Sequence, residues 1–252
     1  MDDDDEGGFR HRGAMAQERG GVTAIADCPR YREDWLAPFR AATQSELRPD
    51  SVVIDVGGGR SPAIPRSDLP PGAMYIGLDL SGRELMAAPP GSYDRIVVSD
   101  VTRFQPELRG CADLVVSFQV LEHVAPLEDA ISNIRSYLRP GGLFVAQLSG
   151  GKSAFALVNR AIPHRLAKLM LEQLLQRDPD TVFPAAYDRC TYTALARMLE
   201  GWSGFRIVPR YIGAGYFSFL PALQTLYIRI EDLIVQGHHK DLATHYLVVA
   251  RR

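Results

Sequence analysis

A strand that breaks into three consecutive glycines is the feature that most constrains how this chain can fold. The run 51–56, which is rich in β-branched residues and contains Asp55, leads directly into Gly57, Gly58 and Gly59. Because glycine has no Cβ, the backbone of such a turn can pass close to a ligand, and the segment that follows can present free N–H groups. The pattern therefore predicts a binding site for a nucleotide-like cofactor.

Three further apolar runs follow at regular spacing, and each has an acidic residue at or near one end. They are 75–79, which ends in Asp79, 96–100, which ends in Asp100, and 113–118, which begins with Asp113. Short apolar runs that alternate with helical segments indicate βαβ units. We therefore predict an α/β fold with a doubly wound sheet.

Two other interpretations of the glycine-rich segments are disfavoured. A dinucleotide-binding fingerprint needs a small residue at position 62, where the ring of Pro62 would disturb the packing of strand and helix. The segment 146–153 matches a relaxed phosphate-loop pattern, but Ala146 replaces the first glycine and lies inside an apolar run. These departures argue against a nicotinamide, flavin or nucleoside triphosphate site.

Two more motifs extend the pattern beyond the glycines and acids. The chain reads Val-Leu-Glu-His-Val at 120–124 and Leu-Arg-Pro-Gly-Gly at 138–142. Together these residues resemble the class I S-adenosylmethionine-dependent methyltransferases, of the branch similar to the ubiquinone and menaquinone biosynthesis methyltransferases. The resemblance is close over 51–149. It implies S-adenosylmethionine as cofactor and a Rossmann-like, seven-stranded sheet whose last two strands pair antiparallel.

The apolar periodicity places the elements of such a fold along the chain. Strands are predicted near 51–56, 74–79, 95–99, 113–118, 142–148, 205–209 and 244–250. Helices are predicted near 30–45, 82–88, 126–138 and 191–200. The acidic, glycine-containing residues 1–20 are predicted to be a disordered tail, and residues 21–252 to be one methyltransferase domain.

Two segments, 150–190 and 211–240, exceed the minimal fold and are rich in apolar residues. Both follow strands at the edge where open α/β sheets bind ligands. We expect them to be helical lid insertions that cover the acceptor. The alternative is that they pack on the edge of the sheet or form a dimer interface. The predicted substrate contacts are Tyr187, Arg189, Tyr216, Phe217 and Phe219.

The resemblance also assigns the residues that bind the cofactor. It implies that Asp55 orients the methionine part, that Asp79 accepts both ribose hydroxyls, and that Asp100 reads the adenine. The full predicted set is Asp55, Gly57, Gly58, Gly59, Asp79, Leu80, Asp100, Val101, Phe118 and Gln119. The structural alternatives are a plain turn for the glycines, a helix N-cap for Asp79 and a turn for Asp100.

His123 is the predicted catalytic residue. Transfer from a sulfonium depends chiefly on positioning in a water-poor pocket, but a hydroxyl acceptor also needs a base, and imidazole titrates near neutrality. The alternative is that His123 only braces its loop. No metal site is predicted, because the adjacent His238 and His239 have no partnering acidic cluster.

Composition narrows the acceptor and the setting. A net charge of −2 provides no basic field for nucleic acid, three widely spaced cysteines indicate the cytoplasm, and no apolar stretch is long enough to span a membrane. We therefore predict O-methylation of a sugar or other natural product, by a chain that could form a homodimer. The alternatives are a non-catalytic cofactor-binding or assembly subunit, and a peripheral membrane methyltransferase of a lipid-linked substrate.

Overall fold

Seven strands form one mixed sheet in the order β3-β2-β1-β4-β5-β7-β6. The computed structural model describes residues 28–153, 186–217 and 220–252, together with Ile25 and Ala156. The strands are β1 (Val52–Val56), β2 (Met74–Asp79), β3 (Arg95–Val98), β4 (Ala112–Phe118), β5 (Leu138–Ser149), β6 (Gly204–Arg210) and β7 (His245–Arg251). The first five run parallel, and β7 is antiparallel to both β5 and β6. The predicted Rossmann-like, doubly wound sheet is confirmed.

Helices cover both faces of this sheet. Over the described residues these helices are α1 (Ala37–Gln44), α2 (Gly82–Met86), α3 (Leu127–Tyr137), α4 (Tyr192–Met198) and α5 (Pro221–Gln236). Alternation along β1 sends Ile54 to the core shared with α3, whereas Val53 joins Phe39 of α1 on the opposite face. Within the described ranges, no helix has the length and apolar character needed to cross a lipid bilayer.

Two predicted boundaries were wrong for a physical reason. The helix predicted near 30–45 begins only at Ala37, because Pro38 is tolerated in the first turn but would clash with a carbonyl inside a longer helix. The strand predicted near 142–148 begins at Leu138, and an irregularity lies between the pairing of that residue and that of Leu143. Gly141, with φ of +79°, allows the chain to leave regular strand geometry there.

A buried carboxylate attaches α5 to the rest of the domain. Glu231 is 2% exposed and accepts hydrogen bonds from the Gly213 amide at 2.7 Å, from the Thr244 hydroxyl at 3.2 Å and from the Tyr31 hydroxyl. Its other contact is a salt bridge of 3.3 Å to Arg30. The turn Pro29–Tyr31, the segment after β6, the residue before β7 and α5 therefore share one polar network.

Candidate active site

The parallel strands bring the predicted cofactor-binding residues together, because their carboxyl ends lie at one edge of the sheet. The Gly57 amide donates to the carbonyl of Leu78, the penultimate residue of β2, at 2.7 Å. The Ser99 amide, just after β3, donates to the carbonyl of Asp79 at 2.9 Å. The loops that follow β1, β2 and β3 are thus directly connected.

The glycine turn has no room for side chains. Gly57 has a φ of +76°, and a Cβ at this position would lie 2.3 Å from a methyl group of Val120. A Cβ on Gly58 would lie 2.3 Å from both the carboxylate of Asp55 and the hydroxyl of Tyr93. Real Cβ atoms do not approach other atoms so closely, so glycine is required to close this turn against the loop after β4 and against Asp55.

The buried carboxylate of Asp55 supports the glycine turn through hydrogen bonds. Its Oδ2 accepts hydrogen bonds from the Tyr75 hydroxyl at 2.7 Å, the Ala63 amide at 2.8 Å and the Tyr93 hydroxyl at 3.4 Å. Its Oδ1 is buried and has no partner among the described residues. Burial raises the pKa of Asp55 to about 6, against the opposing effect of the three donors. Sequence reasoning missed the two tyrosines, which are distant along the chain.

This raised pKa makes stability depend on pH. Between pH 3.8, the ordinary pKa, and about 6, the folded chain holds a proton that the unfolded chain has released. The contribution of Asp55 to stability is therefore largest below that window and falls by about 3 kcal/mol as the pH rises through it. We expect the variant Asp55→Asn, which cannot ionise, to gain stability relative to the wild-type protein over this window in urea unfolding. The exposed control Asp68→Asn should show the same pH dependence of the free energy of unfolding as the wild type. If Asp55→Asn also shows the wild-type pH dependence, the prediction is wrong.

Asp79 and Asp100 each hold their own loop with one oxygen. Oδ1 of Asp79 accepts from the Ser81 amide at 2.8 Å, and Oδ1 of Asp100 accepts from the Thr102 amide at 2.9 Å. The N-cap of α2 is Ser81, whose hydroxyl accepts from Glu84, so Asp79 is not the cap. The second oxygen of each aspartate makes no hydrogen bond within the described structure. Burial raises the pKa of Asp79.

The neighbours of these aspartates differ in exposure. Leu80 follows β2 directly and is 71% exposed, so its apolar side chain is available to a ligand. Val101 is buried, and its carbonyl accepts a hydrogen bond from the Asn133 side chain at 2.9 Å. Phe118 ends β4 and makes edge contacts with Trp35 and Phe39, at centroid distances of 5.2 and 5.1 Å.

The turn after β4 combines buried polar groups with the predicted base. Glu122 is 3% exposed, and its Oε1 accepts from the hydroxyl of Ser149 at 2.9 Å, whereas Oε2 is buried without a partner in the described part of the chain. Burial raises the pKa of Glu122. His123 is exposed and ends the short turn Leu121–His123. The Tyr187 amide donates to the carbonyl of Glu122 at 2.8 Å.

Backbone strain coincides with three predicted site residues. Gln119, Tyr187 and Arg189 have φ values of +56°, +47° and +50°, in the left-handed region that residues other than glycine seldom adopt. The Gln119 amide donates to the carbonyl of Gln147 at 2.7 Å, which holds this conformation. Strain of this kind is concentrated at functional sites, where the surrounding structure maintains it.

The predicted substrate residues do not all lie together. Tyr216 is 38% exposed and contacts His245, Phe217 packs on Tyr227 at a centroid distance of 4.7 Å, and Arg189 forms an exposed 3.0 Å ion pair with Glu128. Tyr187 is buried. Phe219 and residues 157–185 of the first predicted insertion lie outside the described residues.

Sequence comparison identifies the class of domain that this fold and this edge of the sheet define. Residues 54–146 match the family described as a methyltransferase domain. The segment 54–146 is thus similar to a methyltransferase domain, and S-adenosylmethionine is the cofactor expected of that class. No curated protein matches the sequence.

Solved structures share the fold at low sequence identity. A possible exported protein from Bordetella parapertussis has a TM-score of 0.50 and 20% identity, over 86% of this chain and 66% of that one. Phosphoethanolamine N-methyltransferase 2 from Haemonchus contortus has a TM-score of 0.50 and 13% identity, and the match covers 86% of this chain and 53% of that one. Geranyl diphosphate C-methyltransferase from Streptomyces coelicolor has a TM-score of 0.51 and 16% identity, and the match covers 88% of this chain and 77% of that one. The chain thus spans about two thirds and about half of the length of the first two.

The residues present fit this cofactor. S-adenosylmethionine carries positive charge, ribose hydroxyls and an adenine amino group, all of which can pair with carboxylate oxygens. Asp55 offers a buried oxygen without a partner in the described chain, and Asp79 and Asp100 each offer a second oxygen at the edge of the sheet.

Proposed function

We propose that this chain transfers a methyl group from S-adenosylmethionine to a small-molecule acceptor, and that the atom methylated is an oxygen of a sugar or other natural product. The observation that carries the proposal is the row of partly unengaged carboxylates at successive strand ends, beside a turn that only glycine can form. The cytoplasm as location, natural-product biosynthesis as setting and a homodimer as assembly belong to the same proposal.

Each part of the site has a distinct task in this proposal. The cofactor supplies an activated methyl group on its sulfonium. Asp79 would hold the ribose and Asp100 the adenine of the cofactor, with Leu80 and Val101 as further contacts of the nucleoside. Phe118 and Gln119 would contact the cofactor, and His123 would accept the proton of the acceptor hydroxyl.

The segments 150–190 and 211–240 remain the proposed cover of the acceptor. The part of α5 that faces solvent supports a contact role, because Leu226, Ile230 and Leu233 are 56%, 38% and 67% exposed. These positions share one side of the helix, where an acceptor, a second subunit or a membrane surface would bury them.

Binding of the cofactor tests the proposal directly. We expect Asp79→Ala to weaken the binding of S-adenosylhomocysteine at least tenfold, or about 1.4 kcal/mol, because a charge-assisted hydrogen bond to the ribose is lost. Isothermal titration calorimetry measures this, with the exposed Asp129→Ala as the matched control. Unchanged binding by Asp79→Ala, or tighter binding of NAD or ATP than of S-adenosylhomocysteine, would refute the assignment.

A further inference from the structure

Three buried polar side chains lie next to one another at the active-site edge of β5, β7 and β6. Ser149 pairs with His245, and His245 pairs with Arg210 on the outermost strand. Gln147 lies two residues before Ser149, so its side chain is on the same face of the sheet. Gln147, His245 and Arg210 are 0%, 4% and 9% exposed. Sequence reasoning missed this group, which we call the β5–β7–β6 cluster.

The guanidinium of Arg210 is buried without a contacting counter-ion. It donates hydrogen bonds to the Trp35 carbonyl and to Oε1 of Gln147, at 3.4 Å for the latter, and both acceptors are neutral. In the described ranges no carboxylate forms an ion pair with it. Burial lowers the pKa of Arg210, and Glu33 and Asp34 oppose this effect only from beyond contact distance. A buried charge in this state is costly unless an anion joins it.

Two neighbouring groups have unused hydrogen-bonding capacity. Because Oε1 of Gln147 accepts from Arg210, its Nε2 is the free end, and this atom is buried without a partner in the described chain. Nδ1 of His245 is likewise buried without a partner in the described chain, whereas its Nε2 lies 3.3 Å from the Tyr216 hydroxyl. Burial and the charge of Arg210 lower the pKa of His245 to about 4, so its ring is neutral at pH 7. If Tyr216 donates to Nε2, Nδ1 carries the proton and is a donor.

We propose that Arg210, Gln147 and His245 bind an acidic group of the acceptor, a carboxylate or a phosphate. An oxyanion would supply the counter-ion that the guanidinium lacks and would accept from the free amide and imidazole N–H groups. This inference rests on the proposed function and specifies its substrate class as a small molecule that bears an anionic group.

The surroundings of the cluster agree with this role. Gln119, a predicted cofactor-binding residue, is tied to Gln147 through the backbone at 2.7 Å, so the anion would be held beside the cofactor. The ring of Trp35 lies 6.0 Å from that of His245 and 5.2 Å from that of Phe118, which gives the less polar part of an acceptor an aromatic contact.

Titration of simple anions into the full chain tests the inference. Inorganic phosphate and benzoate are titrated by calorimetry at constant ionic strength, with chloride as the baseline, and S-adenosylhomocysteine is titrated separately. We expect saturable binding of at least one anion, and which of them binds distinguishes a phosphate from a carboxylate acceptor. Arg210→Gln should weaken it at least tenfold and change affinity for S-adenosylhomocysteine less than twofold. The exposed Arg206→Gln on the same strand is the matched control.

A second variant covers the case in which Arg210→Gln does not fold. Gln147→Glu places a carboxylate beside the guanidinium, so we expect a higher melting temperature and loss of anion binding. The inference would be overturned if neither anion binds more tightly than chloride. It would also be overturned if Arg206→Gln weakens anion binding as much as Arg210→Gln does, or if Gln147→Glu binds the anion as well as the wild type. Failure of the proposed function would appear separately, as absent binding of S-adenosylhomocysteine to the wild-type chain.

Discussion

Replacing His123 with alanine is expected to lower turnover by about 10²–10⁴-fold, the usual effect of removing a general base. His123 is exposed at the end of the turn after β4, next to the buried Glu122, and is therefore accessible to an acceptor hydroxyl. Affinity for S-adenosylhomocysteine should be unchanged, because the carboxylates proposed to hold the nucleoside lie on other loops. The measurement is the rate of S-adenosylhomocysteine formation at saturating cofactor, with an acceptor on which the wild-type chain turns over.

A control separates catalysis from support of the loop. His239 is also exposed but lies in the turn after α5, so His239→Ala should retain wild-type turnover. If His123→Ala unfolds at a lower temperature while its turnover stays within a few-fold of wild type, His123 braces the turn and is not the base. A loss confined to kcat, with KM for the cofactor unchanged, is the expected result for the base.

The arrangement of the proposed cofactor edge could be predicted from the sequence because its determinants are local. A strand, a glycine turn and an acid at the next strand end are each visible within a few residues, and parallel strands place such ends side by side. Asp55 and Gly57 are neighbours in sequence, as are Asp79 and Leu80, so they could be selected without knowing which distant residues touch. The hydrogen bonds from Tyr75 and Tyr93 to Asp55 could not be predicted in this way, since both tyrosines approach from the β2–β3 region.

The β5–β7–β6 cluster could not be predicted because it depends on strand order and register. The last strand in sequence inserts between β5 and β6, and only this insertion brings His245 between Ser149 and Arg210. One local signal did exist. Gln147 interrupts the otherwise apolar run 143–148, and a polar side chain in a buried strand requires a partner.

Gly57→Ala is expected to be strongly destabilising for two separable reasons. An alanine at φ of +76° costs about 1–2 kcal/mol in backbone strain. Its Cβ would also meet Val120 at 2.3 Å, and overpacking of this kind adds about 1–3 kcal/mol. We therefore expect the free energy of unfolding to fall by about 2–5 kcal/mol in urea titrations. Affinity for S-adenosylhomocysteine should fall at least tenfold, because the displaced turn carries the backbone proposed to face the cofactor.

Gly91 provides the matched control for this variant. Its φ is +77°, nearly the same as that of Gly57, but a Cβ there would meet nothing within 4 Å. Gly91→Ala should therefore show the strain alone, about 1–2 kcal/mol, with unchanged cofactor affinity. The difference between the two variants isolates the contact with Val120, and adding Val120→Ala to Gly57→Ala should recover part of it by removing the two methyl groups. Equal losses of stability in Gly57→Ala and Gly91→Ala would mean that the turn can move away from Val120 and that glycine is not sterically required at position 57.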